Sequence, residues 1–313
     1  LSLINEFSRE EYLLKGNAAC AGCGPALALR YVLKALGSRT VLVIPASCSS
    51  IIAGAYPKSA LKVPVYHIAF AASAATASGL VEGLEAQGIE ANVVVWAGDG
   101  GTVDIGLQGL SGAAERNHNI TYICYDNEAY MNTGIQRSGA TPYGAWTTTT
   151  PLGNKGRKKD LPFIMAAHNI PYVATASPAF PKDLVNKVAK AQKIRGFKYI
   201  HILAPCPTGW RYDPRLTVKI ARLAVMTGFW PLLEIEHGRL RLNSPSVNLL
   251  DPARRRPLKE YLELQGRYRH LSEEDLKVLQ RQIDEQWARI KAMLEVQEEL
   301  EDQVEQGQGE RQH

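Results

Sequence analysis

Between residues 40 and 205 the chain repeats one short pattern: an apolar run, a turn and, in most cases, a helical stretch. The runs are TVLVIPAS (40–47), VYHIAF (65–70), NVVVWAG (92–98), ITYICYD (120–126), PYVATAS (171–177) and KYIHILAP (198–205). Runs this short, rich in β-branched and aromatic residues, read as strands buried on both faces. Helical patterns follow the second (71–88, closing on Gly88), the third (103–117) and the fifth (181–194, with Pro181 near its start). Such alternation predicts an α/β fold built on a doubly wound, mostly parallel sheet.

A chain of 313 residues, 45% of them hydrophobic, can fill the core of such a sheet. Its net charge of +5 comes from 36 basic and 31 acidic residues spread along the sequence. No basic patch is interleaved with stacking aromatics, so no nucleic acid is expected as a partner. The main basic cluster, Lys155, Arg157, Lys158 and Lys159, reads as a solvated loop, with a partner contact as the alternative. No stretch of about 18 apolar residues is available to span a bilayer, and LSLINEFSREEYLLKG at the N-terminus carries Glu6, Glu10 and Glu11, unlike a secretory leader. A cytoplasmic location without membrane contact is therefore expected, and Leu1 in place of Met implies that the gene starts upstream.

The texture changes near residue 235, which divides the chain into a main domain (1–235) and a C-terminal extension (236–313). Within the extension, NSPSVNLLDPARRRP (243–257) is Pro-rich and charged and reads as an extended excursion over a surface. From Ser272, a candidate N-cap, Leu276, Leu279, Ile283, Trp287, Ile290 and Leu294 recur at helical spacing. That stripe reads as packing, with a partner subunit as one surface it can lean on.

In an open parallel sheet, ligands gather at the carboxyl ends of the strands. The third run ends on Gly98-Asp99-Gly100-Gly101. Glycines there let the backbone approach a phosphate, and the following helix N-terminus offers free N–H groups. The Asp99 carboxylate would repel a bare phosphate unless it holds a divalent metal; Mg²⁺ takes hard oxygen ligands and bridges carboxylate to phosphate. Asn127, at the end of the neighbouring run, can add an amide oxygen, and Ala129 a backbone carbonyl. GDG followed at this distance by Asn is the residue pattern of the thiamine diphosphate motif. The alternative is a tight glycine turn with Asp99 as a helix cap.

Of five cysteines, Cys124 sits in an apolar run and reads as a core thiol. Cys20 and Cys23 (CAGC), Cys48 and Cys206 lie in loops or at strand ends, and Cys48 with its neighbour Ser49 shares the edge of Asp99. Four thiols in a cytosolic chain point to a Cys₄ zinc site or an iron–sulfur cluster rather than disulfides. The Cys206-Pro207 pair tilts toward a 4Fe-4S cluster.

ACAGCG, the long segment GDGGTVDIGLQGLSGAAERNHNITYICYDNEAYMNTGIQRSGATPYGA and YIHILAPCPTGW resemble the beta subunit of the pyruvate:ferredoxin oxidoreductase family of 2-oxoacid oxidoreductases, over roughly residues 10 to 235. The resemblance implies a thiamine diphosphate-binding (PP-type) fold. It implies cluster ligation by Cys20, Cys23, Cys48 and Cys206, Mg²⁺ ligation by Asp99, Asn127 and the Ala129 carbonyl, cofactor contacts from Gly98 to Gly101 and from Cys48 and Ser49, and an approach of Asn132 and Thr133 to the reacting carbons. It also implies oxidative cleavage of a 2-oxoacid, with CO₂ released and electrons passed singly through the cluster to ferredoxin. The carboxylate that activates the aminopyrimidine would belong to an alpha subunit, so this chain alone would be inactive; gamma- and delta-type subunits with ferredoxin-like clusters complete the expected assembly. Where pyruvate enzymes tend to read HxxFENAAA, this chain reads HIAFAASAATASG, with Ala71 and Ala72 in place of an acid and an amide. Less negative charge there suits a more anionic substrate, so the expectation is divided between pyruvate or another small 2-oxoacid and oxalate. A nonoxidative thiamine decarboxylase subunit with structural zinc, and a noncatalytic scaffold, are the other readings.

Overall fold

β-Branched and aromatic residues carry all six apolar runs into strands: β1 (Thr40–Pro45), β2 (Val65–Ile68), β3 (Asn92–Gly98), β4 (Ile120–Asp126), β5 (Tyr172–Ala176) and β6 (Lys198–Leu203). They are seen in a computed structural model that describes residues 8–309; residues 1–7, on which part of the leader argument rests, lie outside it. The six strands are parallel, in the order β2-β1-β3-β4-β6-β5. The chain leaves β1 toward β2 and returns to the other side of β1 as β3, so the switch point lies between β1 and β3, where an open α/β sheet forms its ligand crevice. Register runs from Val93 opposite Ile120 to Gly98 opposite Tyr125. Asp99 and Asp126 consequently leave the sheet at the same edge.

Helices cover both faces. On one, α1 (Gly24–Leu36) and α6 (Pro181–Lys193) bring Leu29, Leu33, Leu184 and Val188 down on Leu42, Val94 and Ile200. Between them in sequence come α2 (Cys48–Ala53), α3 (Ser73–Ala86), α4 (Leu107–Glu115) and α5 (Leu161–Ala166). The other face is packed by α3, α4 and three later helices, α8 (Thr217–Met226), α9 (Leu258–Leu262) and α10 (Glu273–Gly309), with the short α7 (Pro207–Trp210) following β6. Among the described residues no helix is long and apolar enough to cross a membrane.

The C-terminal part departs from the sequence reading in three ways. A hairpin, β7 (Leu233–Glu236) and β8 (Arg239–Leu242), adds two antiparallel strands beyond β5, so the sheet has eight strands and crosses residue 235, where composition changes. Residues 243–257 are not an extended excursion: they form 3₁₀ turns at Ser246–Leu250 and Pro252–Arg254, because Leu249 is buried and the buried Ser246 hydroxyl accepts the Leu232 N–H at 2.8 Å. The α10 stripe is covered by this chain itself: Leu279, Ile283, Trp287 and Ile290 are buried, and Trp287 Nε1 donates to the Gly228 carbonyl at 2.8 Å. Apolar residues left exposed on α10 are further along, Met293, Val296 and Leu300.

In the basic cluster Lys155, Arg157 and Lys159 are exposed, as a solvated loop requires, and Lys158 alone departs from that reading. Lys158 reaches inward to Asp126 (2.5 Å) and Glu128 (2.9 Å), Lys159 pairs with Asp104 (2.7 Å), and Arg157 pairs with Glu285 of α10. A run of cations looks like surface when the carboxylates that receive them lie 30 to 130 positions away in sequence.

Candidate cofactor and metal site

Beside the switch point, the site is built from the glycine turn after β3 and the turn after the neighbouring β4. Gly98-Asp99 leads into a π-helical turn, Gly100–Asp104, before α4. Gly100 is required by close approach: a Cβ there would lie 2.2 Å from the Tyr130 ring. Tyr130 packs edge-on to Phe70 and donates to Asp104 at 2.8 Å. Ala71 and Ala72 follow Phe70, whose ring borders Gly101, so they lie alongside the glycine turn.

Asp99 is 1% exposed, and its Oδ2 accepts a hydrogen bond from Ser138 Oγ at 2.5 Å. Burial, reinforced by the nearby Asp126 carboxylate, pushes its carboxyl well above the usual range. Asp126, by contrast, is held below its ordinary value: burial opposes ionisation, but Lys158 and His201 outweigh it. One polar atom of the Asn127 amide, the oxygen in its present orientation, stands 2.9 Å from Asp99 Oδ1 and 2.9 Å from the Ala129 carbonyl oxygen. Three oxygens so close repel unless the amide turns its NH₂ inward and donates to both neighbours, or a cation lies among them. In an octahedral Mg²⁺ shell with bonds of about 2.1 Å, adjacent oxygens are about 3 Å apart. The Asp99 carboxylate, the Asn127 amide and the Ala129 carbonyl therefore offer, side by side, the hard oxygen donors that Mg²⁺ takes.

The turn that makes these oxygens converge is strained. Glu128 adopts φ +67°, which costs a non-glycine residue about 1–3 kcal/mol unless its surroundings hold it there. Its N–H donates to Asp126 Oδ1 (2.9 Å), its carbonyl accepts from Thr141 Oγ1 (2.7 Å), and its buried carboxylate accepts from Lys158 and Arg267.

The cysteine-bearing loops meet at the same edge. Cys48 opens α2 directly after β1, and Cys206 caps α7, its sulfur accepting the Gly209 N–H at 3.3 Å. The Cys20–Cys23 turn is stitched to Cys206 through the Gly24 N–H, which donates to the Pro205 carbonyl at 3.0 Å. Burial raises the Cys23 thiol to about 11 and the Cys48 thiol to about 12, with smaller upward contributions from the other loop thiols. Four thiolates gathered here would be unfavourable without compensating positive charge. Among the described residues no three His, Cys, Asp or Glu side chains are arranged to hold a single ion. Cys124 is fully buried in the core.

Other expected contacts fall at different depths. The Ser49 hydroxyl is buried and accepts the Trp96 indole N–H at 2.9 Å, so it is engaged in the core. Asn132 and Thr133 are exposed on the turn after Tyr130, where Thr133 Oγ1 donates to Gln136 at 2.7 Å. Ser138, Lys158, Glu128 and Arg267 were not singled out by sequence reasoning as site residues. Ser138 lies inside the long segment that carries the family resemblance, and Lys158 inside the basic cluster, but only the fold brings them to Asp99 and Asp126.

Residues 46–202 match the family model described as "Thiamine pyrophosphate enzyme, C-terminal TPP binding domain", which defines the class of this domain. The ketoisovalerate oxidoreductase subunit VorB of Pyrococcus horikoshii is 52% identical over 92% of this chain and 94% of its own length. The pyruvate synthase subunit PorB of Methanothermobacter marburgensis is 53% identical over 88% of this chain and 96% of its own. A 2-oxoglutarate:ferredoxin oxidoreductase structure from Magnetococcus marinus shares the fold, with TM-score 0.56, 23% identity, and coverage of 69% of this chain and 82% of that one. The chain belongs to the beta-subunit family of the 2-oxoacid:ferredoxin oxidoreductases, thiamine diphosphate enzymes that act on 2-oxoacids with ferredoxin.

Proposed function

We propose that this chain is the diphosphate- and cluster-binding subunit of an enzyme that oxidatively cleaves a small 2-oxoacid, releases CO₂ and passes electrons through its own 4Fe-4S cluster to ferredoxin. The observation that carries the reading is the convergence of the Asp99 carboxylate, the Asn127 amide and the Ala129 carbonyl, one amide atom of Asn127 standing 2.9 Å from each of the other two, beside the sheet's switch point and on the edge where the Cys20, Cys23, Cys48 and Cys206 loops gather. In this reading Asp99, Asn127 and Ala129 hold Mg²⁺, Gly98 to Gly101 admit the diphosphate, the four cysteines hold the cluster, and Asn132 and Thr133 face the substrate. When bound, thiamine diphosphate supplies the carbanion that attacks the 2-oxo carbon, and the cluster supplies a one-electron acceptor. An alpha subunit completes the site with the carboxylate for the aminopyrimidine, gamma- and delta-type subunits carry electrons onward, and the assembly works in the cytoplasm.

Relatives 53% and 52% identical are named for pyruvate and for ketoisovalerate, so identity alone does not choose between these substrates. Oxalate stays in the panel because Ala71 and Ala72 remove an acid and an amide beside the glycine turn. The test is the complex purified anaerobically with its native partners. We expect brown visible absorption and viologen reduction with pyruvate or 2-oxoisovalerate, compared against 2-oxobutyrate, 2-oxoglutarate and oxalate. A colourless protein with stoichiometric zinc would remove the redox reading.

A further inference from the structure

Glu128, in the left-handed region between Asn127 and Ala129, is anchored by a residue from the far end of the chain. Arg267, 139 positions away and 2% exposed, donates Nη2 to Glu128 Oε2 at 2.6 Å and Nε to Gln265 Oε1 at 2.9 Å. Its guanidinium stacks 3.8 Å from the centre of the Trp210 ring, and Trp210 Nε1 donates to the Asn127 carbonyl at 2.7 Å. Arg267 thus touches the Asn127–Ala129 turn at two points, through Glu128 and through Trp210. Lys158 reaches the other carboxylate oxygen of Glu128 at 2.9 Å but shares its ammonium with Asp126 at 2.5 Å, so Arg267 is the partner given to Oε2.

We infer that Arg267 is a positioning residue for the divalent-cation site: by clamping Glu128 at positive φ it keeps the Asn127 and Ala129 oxygens turned toward Asp99, which makes the C-terminal segment part of the cofactor-binding machinery. The inference rests on the reading that Asp99, Asn127 and Ala129 hold the cation. With a neutral side chain at 267, Glu128 keeps Lys158, Asp126 and Thr141 but loses the Arg267 contact, so its positive φ is held less firmly and the flanking Asn127 and Ala129 groups are held less closely toward Asp99.

The experiment uses the assembled complex, kept anaerobic, stripped with a chelator and titrated with Mg²⁺ at fixed thiamine diphosphate, with cofactor uptake followed by calorimetry. Arg267→Met raises the half-saturating Mg²⁺ concentration about 10- to 100-fold, the usual effect of losing a residue that orients a metal ligand. Glycine adopts φ near +67° without strain, so the double variant Glu128→Gly with Arg267→Met recovers most of that loss. Packing against Trp210 alone would give no such recovery. Wild-type Mg²⁺ affinity in Arg267→Met overturns the inference, and so does a double variant no better than the single one. If Arg267→Met does not assemble, Arg267→Gln takes its place, with the same loss and the same recovery expected. Asp99→Asn separates the two readings: if uptake stays Mg²⁺-dependent with unchanged affinity in that variant, the cation site itself is misassigned, whereas loss there with none in Arg267→Met removes only the role of Arg267.

Discussion

Lys198 opens β6 and is 3% exposed, with its Nζ donating to Asn119 Oδ1 at 2.7 Å. Burial lowers its pKa from 10.5 to about 8. Below pH 8 the lysine is charged in both the folded and unfolded chains, and the folded protein bears the full cost of burying the charge. Between pH 8 and 10.5 the unfolded chain binds the proton and the folded chain does not, so this residue makes stability rise with pH, by up to about 1.4 kcal/mol per pH unit. The Tm of wild type minus that of Lys198→Met should therefore climb across this window, and a pH-independent difference would show that Lys198 titrates at its ordinary value. Cys206 is tested by a different substitution. Serine is a good N-cap, so Cys206→Ser preserves the start of α7 while removing the sulfur. We expect the visible absorption of the cluster to be lost or strongly altered with the circular dichroism unchanged, whereas Cys124→Ser, deep in the core, leaves the absorption intact. Equal spectra for wild type and Cys206→Ser would exclude Cys206 as a ligand.

Among the elements, the six parallel strands and the amphipathic part of α10 were readable because their burial is periodic and local. The β7–β8 hairpin was equally readable in principle: LEIE and RLRL alternate, and His237-Gly238 between them, both at positive φ, make the turn. The apolar half of the pattern is hidden because charged residues take every second position: Arg239 and Arg241 are exposed on β8, while Glu234 on β7 is buried and bonded to Tyr172 and Asn243. Asp99 and Asn127 were legible as a spaced pair. Ser138, Lys158 and Arg267 were not, since each reaches its carboxylate across 30 or more positions, a relation that no local pattern records. The same limit makes glycines look alike in sequence when their surroundings are opposite. At Gly106, just before α4, a Cβ would lie 2.0 Å from the Gly101 carbonyl oxygen, within the π-helical turn; at Gly83 on the exposed side of α3 nothing lies within 4 Å. Gly106→Ala should cost about 1–3 kcal/mol by overpacking and weaken cofactor uptake. Gly83→Ala should stabilise by about 0.5–1 kcal/mol through helix propensity. Denaturant unfolding of the two variants checks the opposite signs, and equal effects would mean that the π-helical turn yields to the extra methyl group.

For the molecule as a whole, the question is what closes the crevice. The rim on the carboxyl side of the sheet carries Ile51, Tyr56 and Ile105, which are 57%, 95% and 56% exposed, and the turn with Asn132 and Thr133 is open beside it. In the proposed assembly these exposed apolar side chains are where the alpha subunit would dock. A reacting carbon held at this open rim would meet water. There a second subunit would exclude water and bring its own carboxylate to the aminopyrimidine. The expected result is an all-or-none dependence. The isolated chain, reconstituted with iron, sulfide, Mg²⁺ and thiamine diphosphate, should show cluster absorption yet reduce no viologen with pyruvate or 2-oxoisovalerate. Adding the purified alpha subunit should bring activity that saturates at one partner per chain. A charged substitution at the rim, Ile105→Glu, should raise the alpha-subunit concentration needed for half-maximal activity while leaving the cluster spectrum unchanged, because Ile105 lies outside the cysteine-bearing segments; Ile51→Glu, in the helix that Cys48 opens, should act on docking as well. Turnover by the isolated chain would mean that the activating carboxylate lies within these 313 residues, and unchanged titrations in both rim variants would move the subunit contact to another face.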